Sequence, residues 1–275
     1  MTVELGAKLF SIASWSYLAA AICYIIHLFN RRNTLVKVGA WILILGLIAH
    51  TSSLVVRSVA AERPPFLNLY EYVLSLTWAF LVVYLFVEWK TKNRDIGALA
   101  VPLLALFTYL AIQLPTEVNP TMPALRSAWR IPHIATAIFA YACFGVAFGL
   151  AIMYLIRRST EGNKNSFWVT RLPSLEVIDR LIYRLAAFGF MMQTALLITG
   201  AIWAQWAWGR YWGWDPKETW GLVTWLIYAA YLHTRVTMGW KGTKSAVAII
   251  IGFIAVIFTL FGVNYLGGLH SYGSN

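Results

Sequence analysis

The chain has 275 residues, 60% of them hydrophobic and 12% charged, with a formal net charge of +11. A soluble globular protein carries about a quarter charged residues, so that class is excluded and an integral membrane protein is expected. Cys23 and Cys143 both fall inside apolar runs and form no CxxC pair; a self-contained thiol–disulfide exchange enzyme, which needs an attacking and a resolving thiol in reach of each other, is excluded as well.

Crossing a bilayer as a helix takes roughly 20 apolar residues. In chain order such runs lie at about 7–29, 35–56, 69–88, 97–114, 133–156, 186–206, 219–237 and 246–266. The reading is an all-α, polytopic protein of about eight transmembrane helices, forming a single membrane domain over 1–275. The first run is too long, and too polar at its start, for a cleaved signal. Fifteen of the 22 lysines and arginines fall in the connections after the first, third, fifth and seventh runs, among them Arg31, Arg32, Lys90, Lys92, Arg157, Arg158, Lys241 and Lys244. By the positive-inside tendency these connections are cytoplasmic and both termini are extracytoplasmic. The positive charge is thus a topology signal, and nucleic acid is not an expected partner. The longest cytoplasmic connection, about 157–185, is basic and is expected to lie along the membrane surface.

That topology gathers three distant features on the outer face. His133 enters the fifth run behind Pro132, His270 follows the eighth in NYLGGLHSYG, and WGRYWGWDPKETW (208–220) joins the sixth run to the seventh. The wider segment 203–225 holds Trp203, Trp206, Trp208, Trp212, Trp214, Trp220 and Trp225, half of the chain's 14 tryptophans. Aromatic belts spread tryptophan over all helix ends, whereas one dense cluster reads as a platform for a flat ligand. Gly209 and Gly213 would let backbone approach such a ligand closely. Asp215, Pro216 and Glu218 read as a helix start, with Asp as N-cap, Pro in the first position and Glu closing a capping box. Lys217 opposes the helix dipole there and is expected to face an anionic group. A flat apolar ligand flanked by two histidines on one face points to haem, whose iron takes axial imidazoles.

WGRYWGWDPKETW resembles the tryptophan-rich "WWD" signature of haem-handling proteins, and the whole chain resembles the CcsA/ResC type of cytochrome c biogenesis protein (System II). Supporting stretches are NLYEYVLSLTW (68–78), YLHTR (231–235) and LHSYG (269–273). The resemblance implies a subunit that exports haem b and presents it, reduced, on the outer face of a bacterial cytoplasmic or thylakoid membrane, for attachment to the CxxCH motif of an apocytochrome c. It implies a ResB/CcsB-type partner in a cytochrome c synthase, and thiol-reducing proteins that act on the CxxCH. His133 and His270 would be the axial ligands of the haem iron. Trp206, Trp208, Trp212, Trp214, Trp220, Gly209, Gly213 and Asp215 would form the bed.

The same resemblance makes His233 a transmembrane haem site, in keeping with an intramembrane ionisable residue. His50 is either a second internal ligand or a packed polar residue. His27, beside Asn30 and Arg31, is an ordinary interfacial histidine. Arg57, Arg63, Arg126, Arg130 and Arg210 are candidates for pairing with haem propionates. Three other readings stay open: a CcmC-like haem-delivery protein, a membrane b-type cytochrome and a solute transporter. The first usually has six spans, the second usually pairs histidines on one helix, and the third calls for mid-membrane acidic residues.

Overall fold

The computed structural model describes residues 2–118, 126–266 and 268. Among these residues the regular structure is all helical: α1 (Thr2–Asn30), α2 (Asn33–Ala61), α3 (Leu69–Thr91), α4 (Gly97–Ile112), α5 (Arg130–Ser159), α6 (Phe167–Arg171), α7 (Leu175–Trp208), α8 (Pro216–Thr237) and α9 (Thr243–Leu260), then a 3-10 turn at Gly262–Tyr265. Each predicted apolar run falls on a helix of its own. Six of them, α1, α2, α3, α5, α7 and α9, are long and apolar enough to cross a membrane. At 16 residues α4 spans about 24 Å, less than the roughly 30 Å of a hydrocarbon core. With 22 residues α8 has the length, but its threonines, tyrosines, histidine and charged first turn make it too polar to join the six.

The stretch 157–185 is helical at both ends. Helix α5 runs on to Ser159 and α7 already begins at Leu175, with the Ser174 side chain capping its start by accepting from the Val177 N–H. Only the short stretch around α6 is left as a connection. A helix signal was available in Ser174 and Glu176, but the basic residues outweighed it.

The chain divides into two compact units, one formed by Met1–Pro120 with Glu161–Pro173, the other by Thr121–Thr160 with Ser174–Asn275. In the first, α1 packs on α2 and α4, and α3 packs on α4 and α2. Helices α1 and α2 are antiparallel along their whole length: Gly39 faces Cys23 and Tyr24, Gly46 faces Ser16 and Tyr17, and Gly6 faces Ser53, Val56 and Arg57. A Cβ at Gly46 would come within 2.6 Å of the Tyr17 ring, so these glycines set how closely the two helices approach. Arg31, in the left-handed region at φ 52°, makes the reversal.

In the second unit α5 is the core helix. Its Phe144 stacks on Tyr228 of α8 at 3.6 Å, its Phe148 stacks on Phe253 of α9 at 4.6 Å, and Gly189 of α7 lies against the Phe144 ring. Helices α7, α8 and α9 also pack on one another. At the end where α7 begins and α8 stops, this unit is closed by a two-pronged ion pair. Arg235 of α8 donates to both carboxylate oxygens of Asp179 on α7, at 2.8 and 2.5 Å, and the Gly242 N–H donates to Asp179 as well.

Candidate functional site

His133 stands in the first turn of α5, and its ring is set into one stripe of α7. Its Nδ1 lies 3.1 Å from the Leu196 carbonyl, its ring stacks on Trp203 with centroids 5.5 Å apart, and it fills the notch left by Gly200. Leu196, Gly200 and Trp203 follow the four- and three-residue spacing of a single helix face. A carbonyl oxygen only accepts, so in the neutral imidazole Nδ1 carries the proton and Nε2 holds the lone pair. Histidines that ligate metals are commonly oriented in this way, through the second ring nitrogen.

The aromatic contact continues from Trp203 to Trp208, centroids 5.0 Å apart. Helix α7 then stops at Gly209, whose φ of +73° is the left-handed cap conformation that glycine adopts without strain. Among the described residues nothing lies within contact distance of where a Cβ on Gly209 would sit, and the left-handed cap alone calls for a glycine there. Gly213 instead has the Arg210 guanidinium lying against it.

The loop is shaped by Glu218. Its Oε2 accepts from the Gly213 N–H at 2.8 Å and from the Asp215 N–H at 3.1 Å, bracketing Trp214. Trp214 is a bulky residue at a left-handed φ of 56°, a conformation that surrounding structure must hold in place. It is 69% exposed and stands edge-on to Trp212 at 5.7 Å, while Trp206 is 55% exposed. Asp215 is buried and accepts from the Lys217 N–H, so the capping box read from the sequence is present. Burial of Lys217 lowers its pKa, and the neighbouring Asp215 charge opposes that shift. Gly268 lies so close to Asp215 and Pro216 that a Cβ there would meet the Asp215 carboxylate at 2.5 Å. His270 lies outside the described residues.

Trp220 and Trp225 belong to packing inside this unit. Trp220 meets Phe258 at 4.2 Å, and Trp225 donates its Nε1–H to Thr194 at 2.9 Å while tilting on Phe190. His233 is exposed on the outer surface of α8. The residues that sequence reading undervalued are Trp203, placed in the cluster but not in the bed, and the Leu196–Gly200 notch. The signal was a glycine three positions before a tryptophan, on one face of a helix.

In the first unit, His50 is buried with both nitrogens engaged: Nδ1 meets the Tyr17 hydroxyl at 3.1 Å and Nε2 meets the Leu74 carbonyl at 3.0 Å. Of the two roles left open for it, that of a packed polar residue fits this geometry. Arg57 and Arg63 both turn to the buried Glu71. Arg57 donates its Nε–H to Glu71 at 3.0 Å and its other nitrogens to the Thr116 and Glu117 carbonyls, and Arg63 donates to Glu71 at 2.8 Å. Asn68 caps α3 by accepting from the Glu71 N–H and donates to the Glu117 carbonyl. The NLYE stretch is therefore a helix start wrapped round a buried carboxylate, and Arg57, 2% exposed, commits all three of its nitrogens to Glu71 and to the Thr116 and Glu117 carbonyls.

Residues 66–270 match the family description "Cytochrome C assembly protein". The cytochrome c biogenesis protein CcsA of Pyropia yezoensis is 38% identical, over 97% of each chain. The CcsA of Porphyra purpurea is 37% identical over 89% of this chain and 90% of its own, and that of Prochlorococcus marinus (strain NATL1A) is 39% identical over 81% of each. The chain belongs to the CcsA-type cytochrome c assembly family. The solved structure of the cytochrome c haem lyase CcmF superposes with a TM-score of 0.68 at 15% identity, covering 95% of this chain and 47% of that one. This CcsA-type chain thus spans about half the length of CcmF and shares its fold. The family match runs from just before α3 to the residue His270, taking in Asn68 and Glu71 as well as the tryptophan segment, while Arg57 and Arg63 precede it.

Proposed function

We propose that the chain is the haem-presenting subunit of a cytochrome c synthase. In this reading eight helices cross the membrane, both termini are extracytoplasmic, and the tryptophan segment faces outward in a bacterial cytoplasmic or thylakoid membrane. The substrate is haem b. The partners are a ResB/CcsB-type subunit, an apocytochrome c and the proteins that keep its CxxCH thiols reduced. Support comes from membership of the CcsA-type family and from the setting of His133, which is the observation that carries the reading.

The fit of the residues to haem can be judged from that setting. Nδ1 of His133 is tied to a backbone carbonyl, which in the neutral ring makes Nε2 the nitrogen that carries the lone pair, and the ring is braced by Trp203. Exposed Trp206 and Trp214 offer apolar faces in the same segment, and Arg210, folded over Gly213, offers a guanidinium for a propionate. His133 and His270 would supply the imidazoles that hold the iron, and His233, exposed near the end of α8, would be the contact from which haem is taken up. His50 serves packing.

The bond-forming chemistry resides in the substrates, where a cysteine S–H adds across a haem vinyl group with no net oxidation. The chain's part is to fix the ring against the tryptophans, keep its vinyl edge turned outward and yield one axial position to the histidine of CxxCH. Such positioning is worth a large share of a bimolecular barrier.

The test is the absorption spectrum of the purified chain, co-expressed with a ResB-type partner, beside His133→Ala plus His270→Ala. A reduced six-coordinate haem spectrum in the wild type, lost in the double variant and regained with imidazole, is expected. A wild-type chain that stays haem-free with its partner, or a double variant with an unchanged spectrum, overturns the reading.

A further inference from the structure

The buried face of α8 is polar from end to end. The buried residues of this helix are Gly221, Thr224, Tyr228 and Tyr231, at the spacing of one helical stripe. At the outer end the polar groups find protein partners. Gln193 of α7 donates its Nε2–H to the Gly221 carbonyl at 3.0 Å, and the Thr224 and Thr259 hydroxyls meet at 3.3 Å. One turn beyond Tyr231, Arg235 is matched to Asp179.

Between these ends the pairing stops. Tyr228 is 0% exposed and Tyr231 3% exposed, and among the described residues neither hydroxyl has a hydrogen-bond partner. The two hydroxyls and that of Tyr141 on α5 lie near enough to interact electrostatically.

A change of ring position would not relieve Tyr228. Its ring lies flat on Phe144, planes 8° apart, and its hydroxyl end sits against Gly252, where a Cβ would come within 2.8 Å. Phe144 is backed in turn by Gly189, where a Cβ would come within 2.5 Å. The tyrosine is clamped with its oxygen fixed. A bare O–H in an interior that no bulk solvent reaches is unfavourable by the worth of the hydrogen bond it lacks. Buried waters commonly answer such groups, each making about three hydrogen bonds to polar atoms left over by the fold.

We propose that the second unit encloses bound water on the buried face of α8, ligated by the Tyr228 and Tyr231 hydroxyls. This site is independent of the haem reading, since neither tyrosine belongs to the tryptophan segment or carries an iron ligand. It would make α8 a helix whose inner contacts are partly water-mediated, between the loop at its outer end and His233 near its inner end.

Infrared difference spectroscopy of the full chain in lipid nanodiscs, in ordinary and in oxygen-18 water, tests this directly. Tyr228→Phe and Tyr231→Phe keep both rings and their stacking while removing one water ligand each. The expected result is a narrow O–H stretching band in the wild type that shifts with oxygen-18 and is lost or displaced in each variant, with neither variant melting above the wild type. Wild-type-minus-variant spectra with no oxygen-18-sensitive band overturn the proposal. The hydroxyls would then be bare, and each phenylalanine variant should melt higher than the wild type. Because the isotope shift is read in the wild type too, the test survives a variant that fails to fold.

Discussion

At the scale of single residues, the site depends on groups that sit behind the histidine and the tryptophans. Gly200 is the clearest case, because a methyl group there would lie 2.7 Å from Cε1 of His133 and 2.8 Å from Nδ1. Gly200→Ala should therefore swing the imidazole off the Leu196 carbonyl. In a haem-loaded preparation the expected outcome is a weakened six-coordinate spectrum with the fold retained, rescued by added imidazole. Glu218 makes a second test. Glu218→Gln keeps an acceptor for the two amides that bracket Trp214, whereas Glu218→Ala removes it, so protease sensitivity of the 209–215 loop should rise in the alanine variant far more than in the glutamine one. Lys217 adds a pH effect. Its pKa is lower in the folded chain than the ordinary 10.5, so between those two values the unfolded chain binds more protons and stability rises with pH. The full benefit is reached above 10.5, and stability is lost as pH falls through the lowered value. Across that alkaline window the stability of the wild type relative to Lys217→Met, read from paired thermal melts, should rise with pH.

At the scale of elements, helix ends and buried charges decide most of what the sequence offered and withheld. The capping box of α8 and the glycine stop of α7 were readable because their signals are local: an Asp, Pro and Glu in four consecutive positions, and a glycine after an apolar run. Removing the Asp215 cap by alanine, or placing alanine at the left-handed Gly209, should each cost about 1 kcal/mol in detergent melts. The cluster round Glu71 was not readable. Arg57 lies 14 residues from Glu71, and its other acceptors, Thr116 and Glu117, lie 59 and 60 residues from it; no pattern along one helix announces such partners. Glu71→Ala leaves two buried guanidinium groups short of their carboxylate and should cost about 3–5 kcal/mol, against a much smaller loss for the joint apolar replacement Arg57→Met, Arg63→Met and Glu71→Leu. The same long range hid the stripe that seats His133, since Leu196 is 63 residues away. The start of α7 is the local counterpart, a capping serine at Ser174 set within a stretch of basic composition.

At the scale of the whole molecule, hydrophobicity alone located the helices, because the cost of unpaired backbone in lipid leaves a spanning segment little choice but to be helical and apolar. The two helices that fall short of the spanning criterion do so for different reasons: α4 is short, and α8 turns a polar face inward. The proposed topology has its own test. Reporter enzymes active only outside the cytoplasm, fused at the amino terminus or inserted in the 209–215 loop, should be active, and the same reporter between α8 and α9 should be silent. The opposite pattern at either position overturns the orientation drawn from lysine and arginine placement.

The crowding of half the tryptophans into 203–225 has an optical consequence. Trp203 and Trp208 are within 5.0 Å of each other and Trp212 and Trp214 within 5.7 Å, while the remainder, such as Trp15, Trp41 and Trp89, are spread over other helices of the chain. Intrinsic fluorescence therefore comes as two populations, one concentrated at the loop and one distributed. A chromophore that absorbs tryptophan emission and settles on the loop would darken the first population far more than the second. The protein carries its own gauge of occupancy, legible from emission lifetimes without any label.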